Sequence, residues 1–335
     1  MVQTQPNGEH EPNASDPRGR SRSRIDATDP PGSTWNSVGV HPERGMASLA
    51  GPAEVLAAAR SILTGQTVNL DYPLSAFSPP LAHRPQPVHH LEPGHRDQLD
   101  DRIENLWLQV SSHVDGLRHR RHHRYGFFGG VPDSAITADS PTLGVNRWAE
   151  SPIAGRGIMI DVARARVLAG RPVDHANGEA LTVEDLELTI SAQRLTLEPG
   201  DLIAIRTGWA EWHLSDISGE DRERNRNNRR YTGFAQNHNM LSWIRDHRLA
   251  LVASDTFAFE VFPPVPESPF GGDTDNGMFH QDLIALLGIP LGELWKLDIL
   301  ADECHARDKY EFLMVVKPLN LIGGVGSPAN ATAIL

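Results

Sequence analysis

Three short apolar runs limit what this chain can fold into: GIMIDV at 157–162, DLIAIRTG at 201–208 and LALVAS at 249–254. Each is too short for an ordinary helix and dense in Ile, Leu, Val or Ala, the pattern of a strand buried on both faces. Helical punctuation lies between and after them. LTVEDLELTISAQ opens on Thr182 with Asp185 three residues on, a capping box with Asp in place of Glu. AQNHNMLSWIRDH reads as a helix leading into LALVAS, and FHQDLIALLG as a helix stopped by Gly288. EFLMVVKPLNL reads as a late strand. Strands and helices alternate at irregular spacing with many Pro and Gly between them. The expected fold is therefore α/β in a single domain.

The first forty-odd residues are rich in Pro, Gly, Ser, Asn, Asp and Arg and lack an apolar pattern. They predict a disordered tail over 1–45 and a folded domain over 46–335. Order is expected to begin with PAEVLAAARSILTG, where Val55, Leu56, Ala59 and Ile62 or Leu63 form a helical stripe and Gly65 a stop. The lone cysteine, Cys304, excludes disulfide frameworks and cysteine-based zinc folds, so any metal must sit on His, Asp, Glu or Gln. A net charge of −12 argues against a general nucleic-acid binder. The N-terminus lacks the apolar stretch of a signal peptide, and no apolar run reaches membrane-spanning length. The expectation is a cytoplasmic protein with no nucleic-acid or membrane partner. Neither GxGxxG nor GxxxxGK[ST] occurs, so nucleotide binding has no support from motifs.

The chemistry concentrates in SSHVDGLRHRRHHR, residues 111–124. The preceding NLWLQV alternates like a strand. His113 and Asp115 are two apart and project from one strand face, and Gln109 shares their parity. Imidazole and carboxylate together suit Zn²⁺, Mn²⁺ or Fe²⁺. Gly116 lets the backbone turn, and His119 can then fold back over the site. A solvated basic loop is the alternative reading of the same residues. Arg120, Arg121 and Arg124 read as a solvent face or a carboxylate-binding rim rather than ligands, because guanidinium stays protonated.

SSHVDGLRH resembles the HxGTHxDxPxH signature of the metal-dependent cyclase family, which includes bacterial kynurenine formamidase and isatin hydrolase. The likeness is nearer to longer members with a QWDGLRHFGH…YNG variant, matched here by HVDGLRHRRH…FGG. AGRGIMIDV, PGDLIAIRTGW, ALVASDTFAFE, FHQDLIALLGIPLGELWKL and PLNLIGGVGSPANATAI follow in the family's order, from about Leu56 to the C-terminus. The resemblance implies a cyclase-like swivelling β/β/α fold, with a central mixed sheet or barrel-like β core flanked by helices. It implies that His113 and Asp115 are metal ligands, that His119 is the general acid/base, and that His280 and Glu293 complete the metal environment. Gln109 stands where the signature has its first histidine. That change favours a single, harder ion such as Mn²⁺ over a dinuclear zinc arrangement, with Zn²⁺ or a second ion as alternatives. Leu117 replaces the signature's proline. His122 matches a histidine of the longer branch, as a further ligand or a substrate contact. The family also implies a homodimer or homotetramer.

Phe127, Phe128 and Trp209 are candidates for lining a substrate pocket, with burial in the core as the other reading. DRERNRNNRR at 221–230 reads as a solvated loop, and VGSPAN as a tight loop. Asp255 and Glu260 stand near a strand end, either behind the ligands or in ion pairs. The expected function is metal-dependent hydrolysis of an amide, lactam or related C–N bond in a small cyclic or aromatic molecule. A cyclase or dehydratase acting on a polyketide-like molecule and a non-catalytic ligand binder are the alternatives.

Overall fold

The computed structural model describes residues 29–272 and 274–335. In chain order the first strands are β1 (Thr67–Asn69), β2 (Val88–His95), β3 (Gln98–Glu104), β4 (His113–Asp115), β5 (Ile153–Asp161), β6 (Ala180–Leu181) and β7 (Leu202–Arg206). They are followed by β8 (Gly233–Phe234), β9 (Leu251–Ser254), β10 (Leu291–Glu293), β11 (Glu311–Val316), β12 (Gly326–Pro328) and β13 (Ala331–Ile334). Nine of them form one curled mixed sheet in the order β1-β13-β11-β5-β7-β9-β10-β4-β12. The three apolar runs are its parallel heart, since β5 pairs with β7 and β7 with β9 in parallel. β10 then joins β9 in parallel, and β4 and β12 close this end of the sheet antiparallel.

Helices cover the sheet as the punctuation predicts. Thr182 and Asp185 cap the helix Val183–Ala192 reciprocally, and Asn237 caps His238–Asp246 through the Met240 N–H. Asp161, the last residue of β5, turns directly into the helix Val162–Leu168 by accepting the Arg164 N–H. The helix in FHQDLIALLG forms, but Asp282–Leu286 adopts the wider π geometry. Gly288 ends it at φ +63°, where a Cβ would stand 2.4 Å from the Phe128 ring.

Several expectations change. The chain over 106–110 is a turn rather than a strand, and only His113–Asp115 joins the sheet. VGSPAN is not a free loop, because Gly326–Pro328 is the edge strand β12. The run at 221–230 lies mostly in a solvated helix, Gly219–Asn228, capped by Ser218. The first helix is only Pro52–Ala59, and it buries Ala58 while Leu56 and Leu63 face outward. The expected stripe fails because the helix ends before its last members.

The ordered body begins earlier than residue 46. The Thr34 hydroxyl donates to the Leu287 carbonyl, the Trp35 indole donates to Ala285, and Arg44 donates to Arg147 and Ser151. Residues 1–28, the rest of the expected tail, lie outside the described residues. Among the described residues, no helix is long and apolar enough to cross a membrane.

Candidate metal centre

The site is built at the antiparallel end of the sheet, and strand register does most of the work. Glu293 on β10 is the direct cross-strand partner of His113 on β4, and Gly326 on β12 is the partner of Asp115. Cross-strand partners hold their Cβ atoms about 5 Å apart. Asp115, two residues beyond His113, shares its face, as the sequence spacing requires. His280 arrives at the start of its helix, and His119 folds back from the turn after Gly116. A Cβ at Gly116 would lie 2.7 Å from the Val325 carbonyl oxygen, so the return path needs glycine.

The reactive atoms converge. His113 Nε2 lies 3.7 Å from Asp115 Oδ2 and 3.4 Å from Glu293 Oε2. His280 Nε2 lies 3.5 Å from the same Asp115 oxygen and 3.5 Å from Glu293 Oε1. His119 Nε2 completes the group at 3.5 Å from Asp115 Oδ2. Two overlapping sets, Asp115 with His119 and His280, and His113 with Asp115 and Glu293, each bring one ligand atom per residue within 4.8 Å of the others.

Surrounding groups aim these atoms. His113 Nδ1 donates to the Ser111 carbonyl, which turns Nε2 inward. His280 Nδ1 lies 3.4 Å from Glu260 Oε1, while the Glu260 carboxylate also accepts the Phe279 and His280 N–H groups. Glu293 Oε2 accepts the Ala258 N–H, and the Trp295 indole donates to the His113 carbonyl. An imidazole with one nitrogen held by a carbonyl or carboxylate presents the other as a metal ligand.

Burial opposes charge at every member of the cluster, and the neighbours decide the outcome. Burial would lower His113, but Asp115 and Glu293 hold it up at about 9. Burial would lower His280 too, but Asp115, Glu260 and Glu293 hold it up at about 10. Asp115 is buried, yet His119 and His113 keep it well below the usual carboxylate range; Glu293 is likewise lowered against burial, by His113 and His280. His119 falls to about 4, because burial outweighs the pull of Asp115.

This donor set suits a divalent cation. Asp115 Oδ1 and His280 Nε2 are buried side-chain atoms without a hydrogen-bond partner among the described residues, an arrangement that costs about 1–3 kcal/mol per group unless something binds there. Neutral imidazole and carboxylate are the ligands preferred by Zn²⁺ and Mn²⁺, so a cation here would take the place of the protons that the carboxylates hold on His113 and His280.

The chain belongs to the cyclase family.

That family's model, described as "Putative cyclase", matches residues 67–261. A solved structure titled a novel cyclase is similar at 30% identity and a TM-score of 0.77, covering 90% of this chain and 99% of its own. Isatin hydrolase A from Labrenzia aggregata shares the fold at 14% identity and a TM-score of 0.53, over 81% of this chain and 93% of its own. Isatin hydrolase A from Ralstonia solanacearum does so at 15% and 0.55, over 85% and 96%. No curated protein matches the chain.

Within this cyclase-family fold the remaining candidate residues separate. Gln109 sits in the turn before β4, and its backbone carbonyl accepts from the Arg84 guanidinium. Its amide nitrogen and Asp115 Oδ1 lie 2.9 and 3.1 Å from where a Cβ on Gly326 would stand. Gln109 therefore reaches the edge of the cluster by a turn, without the expected strand. His119 opens into a cleft of about 290 Å³ with Arg120, His123, Asp275 and Gln281. His122 lies behind it, buried, with Nε2 3.7 Å from Asp282 Oδ1 and its ring against His123 and Tyr125. Burial, with His123 and Arg124 nearby, lowers His122 to about 4.

Phe128 and Trp209 are not pocket residues. Phe128 is fully buried against Gly288, and Trp209 stacks on His213 within a second apolar cluster. Phe127 is partly buried and packs against the main core. Glu260 supports His280, whereas Asp255 clamps the Thr207 and Gly208 N–H groups away from the cluster. Gly326 is the site residue that the sequence reading missed. Its only signal was the glycine-rich context of VGSPAN.

Proposed function

We propose that the protein is a metal-dependent hydrolase of an amide, lactam or related C–N bond in a small cyclic or aromatic molecule. The observation that carries this reading is the convergence of His113, Asp115, His280 and Glu293 on one buried point, with His119 on its cleft side. Those four residues, with Gln109 at the edge, would hold one divalent cation, Mn²⁺ or Zn²⁺. When bound, such a cation supplies Lewis acidity toward a carbonyl and brings the pKa of water toward about 7.

The chain's own residues supply the rest. His119 is 18% exposed at its side chain, against 5% or less for the four others, so it alone meets both cluster and cleft. Its imidazole, at about 4, is neutral at neutral pH and accepts a proton at Nε2. Water oxygen bonds to the carbonyl carbon, the C–N bond breaks, and His119 returns that proton to the leaving nitrogen. Glu260 keeps His280 oriented throughout. The fold shared with two isatin hydrolases supports a lactam or amide substrate, and the likeness to a structure titled a cyclase keeps ring closure as the second reading. Both use the same proton carrier. A homo-oligomer, dimer or tetramer, belongs to the same proposal. It is supported by the apolar Leu91, Leu99 and Ile103, exposed on the β2–β3 hairpin.

The test is turnover of formanilide and isatin by protein loaded with Mn²⁺ or Zn²⁺, before and after chelation. Hydrolysis of either that disappears with the metal and returns on reloading is the expected result. No hydrolysis by a protein carrying its full metal complement would overturn the reading.

A further inference from the structure

A second cleft, of about 390 Å³, adjoins the one that His119 faces, and His123 lines both. Its walls follow closely on site residues in the chain. His122 and His123 come three and four positions after His119, and Asp282 comes two after His280. Phe270 and Gly271 line the larger cleft and Gly272 the smaller, so one loop runs along both. Gly271 lies against the His123 ring, where a Cβ would stand 3.9 Å from it.

The chemistry of the larger cleft is mixed in a specific way. Its walls include aromatic and apolar faces from Tyr125, Phe270 and Leu241. Two guanidinium cations stand among them, Arg124 and Arg245, beside the imidazoles of His123 and His238. Arg124 stands at 5.8 Å over the Tyr125 ring, and no ion pair ties it to a carboxylate among the described residues. Arg245 pairs through Nε with its neighbour Asp246, and among the described residues its terminal nitrogens remain as further donors. The one carboxylate in the lining, Asp282, faces the buried His122 at 3.7 Å. A guanidinium fork beside an aromatic wall matches a planar carboxylate in both charge and shape.

We propose that this cleft is a subsite for a planar aromatic carboxylate, so that the substrate carries an acid group held by Arg124 and Arg245 while its scissile bond lies at His119. The inference rests on the hydrolase reading for the second half of that statement. The first half, an organic-anion site at Arg124 and Arg245, stands on the cleft itself.

Benzoate and its neutral isostere benzamide serve as binding probes, measured by calorimetry on the metal-loaded protein and again after chelation. Benzoate is expected to bind at least tenfold more tightly than benzamide, with or without the metal. Arg124→Gln and Arg245→Gln should each weaken benzoate about tenfold while leaving metal content unchanged. Equal binding of the two probes would overturn the proposal. So would benzoate binding that vanishes with the metal and ignores both substitutions, since that places the carboxylate on the metal. In turnover, kcat/KM of Arg124→Gln should fall about tenfold more for N-formylanthranilate than for formanilide, through KM. If neither compound is hydrolysed, the hydrolase reading fails, and the benzoate titrations still decide the subsite.

Discussion

At the scale of single residues, one histidine of the cluster is placed unlike the others. His119 shares Asp115 with the other imidazoles but faces the cleft. His119→Ala is therefore expected to keep the metal and lose about 10²–10⁴-fold in turnover, the usual size of a general acid–base contribution. Metal content and turnover on one preparation check this; loss of the metal would make His119 a ligand instead. The sequence made most of this site legible because spacing in a strand is geometry. His113 and Asp115 had to share a face, and the structure puts them on β4 with Glu293 directly opposite. The resemblance supplied His280 and Glu293, which no local pattern could tie to residues more than 160 positions earlier in the chain. Phe128 and Trp209 were misplaced for a different reason. Sequence proximity to a site does not tell which way an aromatic ring points, and the demand for apolar burial took both into the core.

At the scale of elements, the strands of the parallel heart were readable because a strand buried on both faces must be apolar throughout. β12 was not, and β4 was read too long at its start, since both are three residues long and exist through their partners. β12 brings Gly326 against Asp115, and a side chain there would press on Gln109 and Asp115 together. Gly326→Ala is expected to weaken metal binding at least tenfold while far-UV circular dichroism stays that of the parent. Unchanged metal affinity would show that the edge strand yields without disturbing the ligands. The first helix illustrates the opposite failure. Its apolar spacing was real, but the helix stops at Ala59 and its buried contact is the small Ala58.

At the scale of the molecule, the folded body reaches back before residue 46, through the anchors at Thr34, Trp35 and Arg44. Deleting residues 1–45 should lower Tm by several degrees relative to deleting residues 1–28, because it removes a partly buried indole and its hydrogen bond; equal Tm values would contradict this. Stability should also depend on acid through His213, which burial holds at about 4, with a contribution from Arg222. Between about 6.5 and 4 the unfolded chain binds a proton that the folded one refuses, so stability falls as pH drops through that window, by up to about 1.4 kcal/mol per pH unit. His213→Phe, which keeps the stack on Trp209, is expected to remove His213's share of that loss in denaturation measured at pH 5 and pH 7.5, while His119 and His122, also held near 4, keep theirs; an unchanged slope would contradict it. The whole fold, in the end, serves one point in space. Elemental analysis of the purified protein and its Asp115→Ala variant tests that most directly. About one divalent ion per chain in the parent and none held stoichiometrically in the variant is the predicted result, and full metal content in Asp115→Ala would contradict it.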